Sequence, residues 1–102
     1  MNGLYAATYA ANAQRGPHSE DPRYIKTIVT VKHWAAYSVD KYGGPDIPLS
    51  GEGGKDRYTF NAIVDDYNFF DTYAKPFEMA VKLGKTRGIM CSYNEVRPLL
   101  ML

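Results

Sequence analysis

Two short runs rich in β-forming residues, Thr27-Ile28-Val29-Thr30-Val31 and Gly88-Ile89-Met90-Cys91-Ser92, are separated by a long loop composition and then a helical spacing. That alternation constrains the fold more than any other feature. The first run follows Ile25 and alternates only weakly between apolar and polar residues, as a strand covered on both faces does. Residues 26–33 are therefore expected as an interior parallel strand. The second run is expected as another short, buried strand.

The segments around them complete the pattern. Leu4-Tyr5-Ala6-Ala7-Thr8-Tyr9-Ala10-Ala11-Asn12-Ala13 is rich in alanine, and Leu4, Ala7 or Thr8, and Ala11 share a face, so a short helix ending near Gln14 is expected. Gly16-Pro17 breaks it, and Pro22 pushes Asp21 out of helical geometry. Between Asp40 and Asp56 lie five glycines and two prolines, a composition that sustains neither a helix nor a central strand. A long surface loop is expected there, after the C-terminal end of the first strand, where α/β folds place their sites. From Asp65 onward Phe69, Phe70, Tyr73, Phe77, Ala80 and Val81 fall at helical spacing, with Asp65 or Asp66 as cap. Pro76 predicts either a kink or two shorter helices with Pro76 in the first turn of the second, and Gly84 a C-terminal stop. Helix, strand, long loop, helix, strand is the order of a parallel α/β architecture.

Composition mainly excludes. Twelve Lys and Arg against eleven Asp and Glu leave a net charge of +1 and no basic stripe, so nothing draws nucleic acid. No apolar run approaches membrane-spanning length, and the first residues lack the pattern of a signal peptide, which leaves localisation undetermined. The lone Cys91 excludes an internal disulfide and a multi-cysteine zinc site, two separated histidines offer no metal cluster, and Gly51-Glu52-Gly53-Gly54-Lys55 has neither phosphate-binding spacing. No metal and no organic cofactor are expected. Nine Tyr, four Phe and one Trp suit sugar binding and tight packing equally.

Five strings carry a family resemblance: Asp21-Pro22-Arg23-Tyr24, Lys32-His33-Trp34-Ala35-Ala36-Tyr37, Asp56-Arg57-Tyr58-Thr59-Phe60-Asn61-Ala62, Pro76-Phe77-Glu78 and Met90-Cys91-Ser92-Tyr93-Asn94. In this order and spacing they resemble glycoside hydrolase family 3, and within it the β-xylosidase and α-arabinofuranosidase branch. The resemblance implies that residues 1–102 are a fragment, about a third, of an N-terminal (β/α)8 barrel domain that takes about 250 residues when complete. Such a piece would leave sheet edges unpaired and barrel-facing side chains exposed, making it marginally stable or dependent on a complementing chain or a second copy.

The resemblance also implies chemistry. Family members are retaining exo-acting β-glycosidases that use a nucleophilic carboxylate and an acid/base carboxyl about 5 Å away. Neither is identifiable in this sequence, so no catalytic residue is assigned. The matched residues are those of a sugar-holding shell for a β-xyloside-like glycoside or oligosaccharide. Lys32 and His33 match a pair that hydrogen-bonds hydroxyls of the nonreducing-end sugar. Adjacent residues on a regular strand point to opposite faces, so the backbone is expected to leave regular extension there, through a bulge or a cis peptide. Arg57 matches an arginine near the sugar pocket, and an ordinary ion pair with Asp56 or Glu52 is its alternative. Tyr93 matches a tyrosine beside the nucleophile, and Met90 a pocket-lining residue that could equally be strand packing. Trp34 is expected between strand and helix rather than on a sugar, and Cys91 as a small buried residue.

Where the family commonly continues with Asn-Gly-X-Pro, this chain reads Arg97-Pro98-Leu99-Leu100-Met101-Leu102. Residues 97–102 are expected to be a divergent tail. The chain is accordingly expected to hold sugar without cleaving it, or to be a noncatalytic remnant that binds weakly or associates with another chain.

Overall fold

The computed structural model describes residues 1–15, 23–39, 57–58 and 60–99. The expected turn at 16–22, the expected loop at 40–56 and the last three residues of the expected tail lie outside these. In order come helix α1 (Asn2–Arg15), strand β1 (Thr30–Trp34), strand β2 (Asn61–Asp65), the short helix α2 (Asp66–Asn68), a π-helical segment (Phe69–Ala74), helix α3 (Lys75–Lys82), and strands β3 (Gly88–Cys91) and β4 (Glu95–Leu99).

The strands form two parallel pairs. β1 pairs with β3, setting Thr30 against Gly88, Val31 against Ile89, Lys32 against Met90 and Trp34 against Cys91, with a register slip between Lys32 and Trp34. β2 pairs with β4 from Asn61 and Glu95 to Asp65 and Leu99. A parallel pair needs a long crossover, and a single helical run, from α2 through α3, lies inside both crossovers. Parallel α/β pairing is thus observed, as part of an α/β domain and not as a closed barrel.

The helical run follows local chemistry. Asp65 caps it: its carboxylate accepts from the Asn68 backbone N–H at 2.9 Å and from Asn68 Nδ2 at 2.6 Å. The run then widens into the π-helical segment, and α3 continues it with Pro76, which has no N–H to donate to the preceding turn, in its first turn. The second of the two expectations for Pro76 holds. Glu78 accepts from Lys75 at 3.1 Å and Lys82 at 2.7 Å on the exposed face.

α1 packs on α3 through small residues. Its buried stripe is Gly3, Ala7, Ala10 and Gln14, while Leu4, expected to share a face with Ala7 or Thr8, is 58% exposed. The reason is the closeness of the approach: a Cβ on Gly3 would lie 2.6 Å from Met79 Sδ, and one on Gly84 only 2.7 Å from both Ala7 Cα and the Ala80 carbonyl oxygen. A leucine has no room in that seam. α3 ends at Lys82, just before Gly84, where a stop was expected, and the left-handed residue is Lys85, with φ 53°. Gly84 is also needed for the contact with α1.

Gln14, 2% exposed, joins three elements. Its Nε2 donates to the Lys85 carbonyl at 2.9 Å, and its Oε1 accepts from Val29 N at 3.2 Å and Arg87 N at 3.0 Å. The stretches leading into β1 and β3 are thereby tied to one helix end. A second, smaller core gathers Ala36, Phe60 and Ala62, with Tyr37, Val39, Val64, Tyr73 and Val96 packed around it.

Several expectations about the strands need correction. β1 begins at Thr30 rather than at residue 26, and among the described residues each strand has one partner, so none is interior. β3 is mostly exposed, and Cys91 with it, because only one neighbour covers it. β2 and β4 were not foreseen, and Arg97, Pro98 and Leu99 of the expected tail belong to β4. Ile63, Ile89 and Met90 are all exposed, Ile89 and Met90 on opposite faces of β3.

Candidate functional site

Because β1 and β3 are parallel, their C-terminal ends lie together, and both matched strings converge there. The Lys32–His33 and Trp34–Ala35 peptides are cis, and the pairing slips between Lys32 and Trp34. The expected departure from regular extension is present. After β1 the chain enters a corner built on Ala35 and Ala36, both buried, with Ala36 at φ 53°. Ser92 closes that corner from β3: its backbone N–H donates to the Trp34 carbonyl at 2.6 Å. Its hydroxyl lies 2.9 Å from the same oxygen and 3.3 Å from the Ala35 oxygen, and shares its one proton between them. Asn94 Nδ2 donates to the Ala35 carbonyl at 3.3 Å and to the Glu95 carbonyl at 3.0 Å.

From the corner a series of aromatic rings runs outward. His33 meets Tyr37 edge-on at 4.9 Å, Tyr37 meets Tyr93 at 6.4 Å, and Tyr93 meets Tyr58 at 5.3 Å. Tyr37 also stacks on Phe60 at 6.3 Å, which anchors the series to the small core. At its far end the Arg57 guanidinium sits 4.9 Å over the Tyr58 ring, and Arg57 Nη2 donates to the Tyr58 hydroxyl at 2.8 Å. His33, Tyr93 and Arg57, three residues singled out from the sequence, are thus connected through rings. Lys32 and Met90, the other two, face each other across the β1–β3 pair.

Polar groups are distributed unequally here. Lys32 Nζ, the His33 imidazole and the Tyr93 hydroxyl have no hydrogen-bond or ion-pair partner among the described residues, whereas the Ser92 hydroxyl and Asn94 Nδ2 are occupied with backbone carbonyls. An ammonium, an imidazole and a phenol at the mouth of a pair of parallel strands can donate to and accept from hydroxyl groups. The two carboxylates with displaced titration are committed elsewhere. The Asn68 amide and side chain hold the Asp65 carboxyl below the usual aspartate range, and Lys82 and then Lys75 do the same for Glu78. Among the described residues no group of three His, Cys, Asp or Glu side chains could hold a metal, and no helix is long and apolar enough to cross a membrane.

Trp34 lies where the sequence suggested, edge-on to Phe77 at 5.1 Å and Phe69 at 5.9 Å, between strand and helix. The described partner of Arg57 is Tyr58; Asp56 and Glu52, its alternative partners, lie outside the described residues. Sequence reasoning missed Tyr37 and Tyr58 as members of the ring series and Ser92 and Asn94 as corner residues. All four stand inside the quoted strings, so the signal available was their membership in those strings.

No model of a known protein family matches the chain. Individual relatives do. It is 36% identical over 96 residues to β-xylosidase/α-L-arabinofuranosidase 2 of Medicago sativa subsp. varia, which covers 91% of this chain and 11% of that protein. Over 94 residues it is 36% identical to β-D-xylosidase 1 of Arabidopsis thaliana, with the same shares covered. The plant and fungal relatives are those expected from the five strings. This chain belongs to glycoside hydrolase family 3. A family 3 β-glucosidase from Kluyveromyces marxianus, solved in complex with glucose, matches its fold with a TM-score of 0.51 at 28% identity, over 68% of this chain and 7% of that one. The chain spans about a ninth of the length of these curated family 3 relatives.

Proposed function

We propose that this chain supplies one wall of the glycoside site of a retaining, exo-acting β-glycosidase of the β-xylosidase type. Lys32 and His33 would hydrogen-bond hydroxyls of the terminal sugar. Tyr93 would lie along its ring, Met90 would line the floor, and Arg57, held by Tyr58, would border the outer side. The observation that carries the reading is the placing of two uncommitted polar groups, the His33 imidazole and the Tyr93 hydroxyl, in a run of rings at one end of a parallel strand pair, with Lys32 next to His33 in the chain. Sugars are bound by that combination, because their hydroxyls need directed partners while their C–H faces suit aromatic surfaces. The names of the relatives support a xyloside as substrate.

Cleavage with retention needs two carboxyl groups about 5 Å apart, one as nucleophile and one as acid and then base. We assign neither role to a residue of this sequence. Asp65 is a helix cap and Glu78 is paired with two lysines, so both have local structural work. For these residues alone the expected behaviour is binding without turnover.

Calorimetric titration of the chain with xylose, beside nitrophenol release from β-xyloside, β-glucoside and arabinofuranoside, tests both halves. Saturable binding with Kd of about millimolar and no turnover is the expected result. Binding unaltered in Lys32→Ala/His33→Ala would remove the assigned site, and turnover above background would overturn the noncatalytic reading.

A further inference from the structure

The string Ser92-Tyr93-Asn94 alternates in what its side chains do. Ser92 and Asn94 reach to the Trp34 and Ala35 carbonyls, and Tyr93 between them joins the ring series. The chain bends at Tyr93 and Asn94, and the two polar side chains meet the corner while the ring between them leaves it. We propose that Ser92 and Asn94 are positioning residues for Lys32 and His33, fixing the corner from which those two present their polar groups; this rests on the sugar-binding reading of the pair.

Four features carry it. The Trp34 and Ala35 carbonyls follow His33 by one and two residues, so whatever fixes them fixes the end of the strand that holds the imidazole. The β1–β3 ladder slips at this place, and Ser92 supplies both a backbone and a side-chain donor to the Trp34 oxygen. Both Asn94 contacts are made by its amide nitrogen to carbonyl oxygens, one of them the Ala35 oxygen of the corner, while its Oδ1 is buried without a partner among the described residues. Finally, Ala36 has a left-handed φ of 53°, a conformation a residue with a Cβ seldom takes without neighbours that hold it.

The test uses the full chain and NMR. The His33 ring protons lie beside the Tyr37 ring, at a centroid distance of 4.9 Å, and report the corner without any sugar present. Ser92→Ala and Asn94→Ala should move those signals toward free imidazole values and weaken xylose binding about tenfold. The Ala80 and Gly84 amides, in the α1–α3 seam, should stay where they are. Ser92→Thr, which keeps the hydroxyl, should restore the His33 signals. Unmoved His33 signals in both alanine variants would overturn the proposal. So would loss of dispersed Ala80 and Gly84 signals in both, since the two residues would then hold the fold and not the corner. If the native chain binds no xylose, the sugar reading fails while the His33 signals still decide the positioning claim.

Discussion

Between α1 and α3 the buried residues are glycine and alanine with one glutamine, and every polar group of that glutamine's amide is matched. At the strand ends the side chains are large and aromatic, and Lys32, His33 and Tyr93 have polar groups with no described partner. The helix seam is closed and tolerates no added atom, whereas the strand ends are open and chemically unfinished. Stability and binding are thus assigned to different residues, and each can be changed with the other as control.

The largest effect is expected at Gln14. Gln14→Leu removes three hydrogen bonds and leaves the Val29 and Arg87 N–H groups and the Lys85 carbonyl without partners. Each such group costs about 1–3 kcal/mol, so a loss of about 3 kcal/mol is expected in urea unfolding. A loss below about 1 kcal/mol would show that the seam does not depend on this side chain.

Gly84→Ala comes next, at about 2 kcal/mol, because the new Cβ meets backbone atoms of Ala7 and Ala80 that cannot move without parting the helices. Gly88→Ala is the comparison. There the obstacle is the Thr30 side chain, which is exposed and can turn away, so thermal unfolding should show a smaller shift. Equal shifts would contradict the distinction between a closed seam and an open sheet. Trp34→Leu, which removes two edge-on ring contacts, is expected to cost about 1 kcal/mol while leaving xylose binding in place. Lost binding with unchanged stability would move Trp34 from packing to the sugar site.

How much of this was legible in the sequence depends on the range of the interaction. Asp65 as cap and Pro76 in the first turn of α3, each one of two alternatives foreseen, follow from neighbours a few residues away, whereas Trp34 was placed from the residue before it and packs on Phe69 and Phe77 more than thirty positions on. β2 and β4 were missed because their pairing joins residues more than thirty positions apart and because Pro98 argues against a strand until its place at an edge is known. Gln14 gave no sign, since a single glutamine near the end of an alanine-rich helix usually faces water. Leu4 was grouped on one face with Ala7 or Thr8 and Ala11, and the closeness of α3 leaves it exposed. At the site, the strings located the strand ends, but the linking role of Tyr37 is a matter of ring geometry.

The smallest expected effect concerns pH. The hydrogen bonds from Asn68 lower the Asp65 carboxyl in the folded chain relative to the unfolded one. The contribution of the cap is therefore complete above the unfolded value of about 3.9 and is lost as the pH falls through the folded value. The Asn68 amide signal should titrate with a midpoint below that of a free aspartate. A midpoint at or above it would remove the cap from the account.

The central claim, that the strand ends and not another aromatic surface receive the sugar, has a direct rival within the chain. Tyr5 and Tyr9 form an exposed stacked pair on α1, with ring centroids 6.5 Å apart. Titrating methyl β-xyloside into the isotopically labelled chain and following every aromatic and amide signal separates the two surfaces. The account predicts saturable shifts at His33, Tyr37, Tyr58 and Tyr93, with Tyr5 and Tyr9 unmoved. Shifts confined to Tyr5 and Tyr9, or none at any of the six, would contradict it.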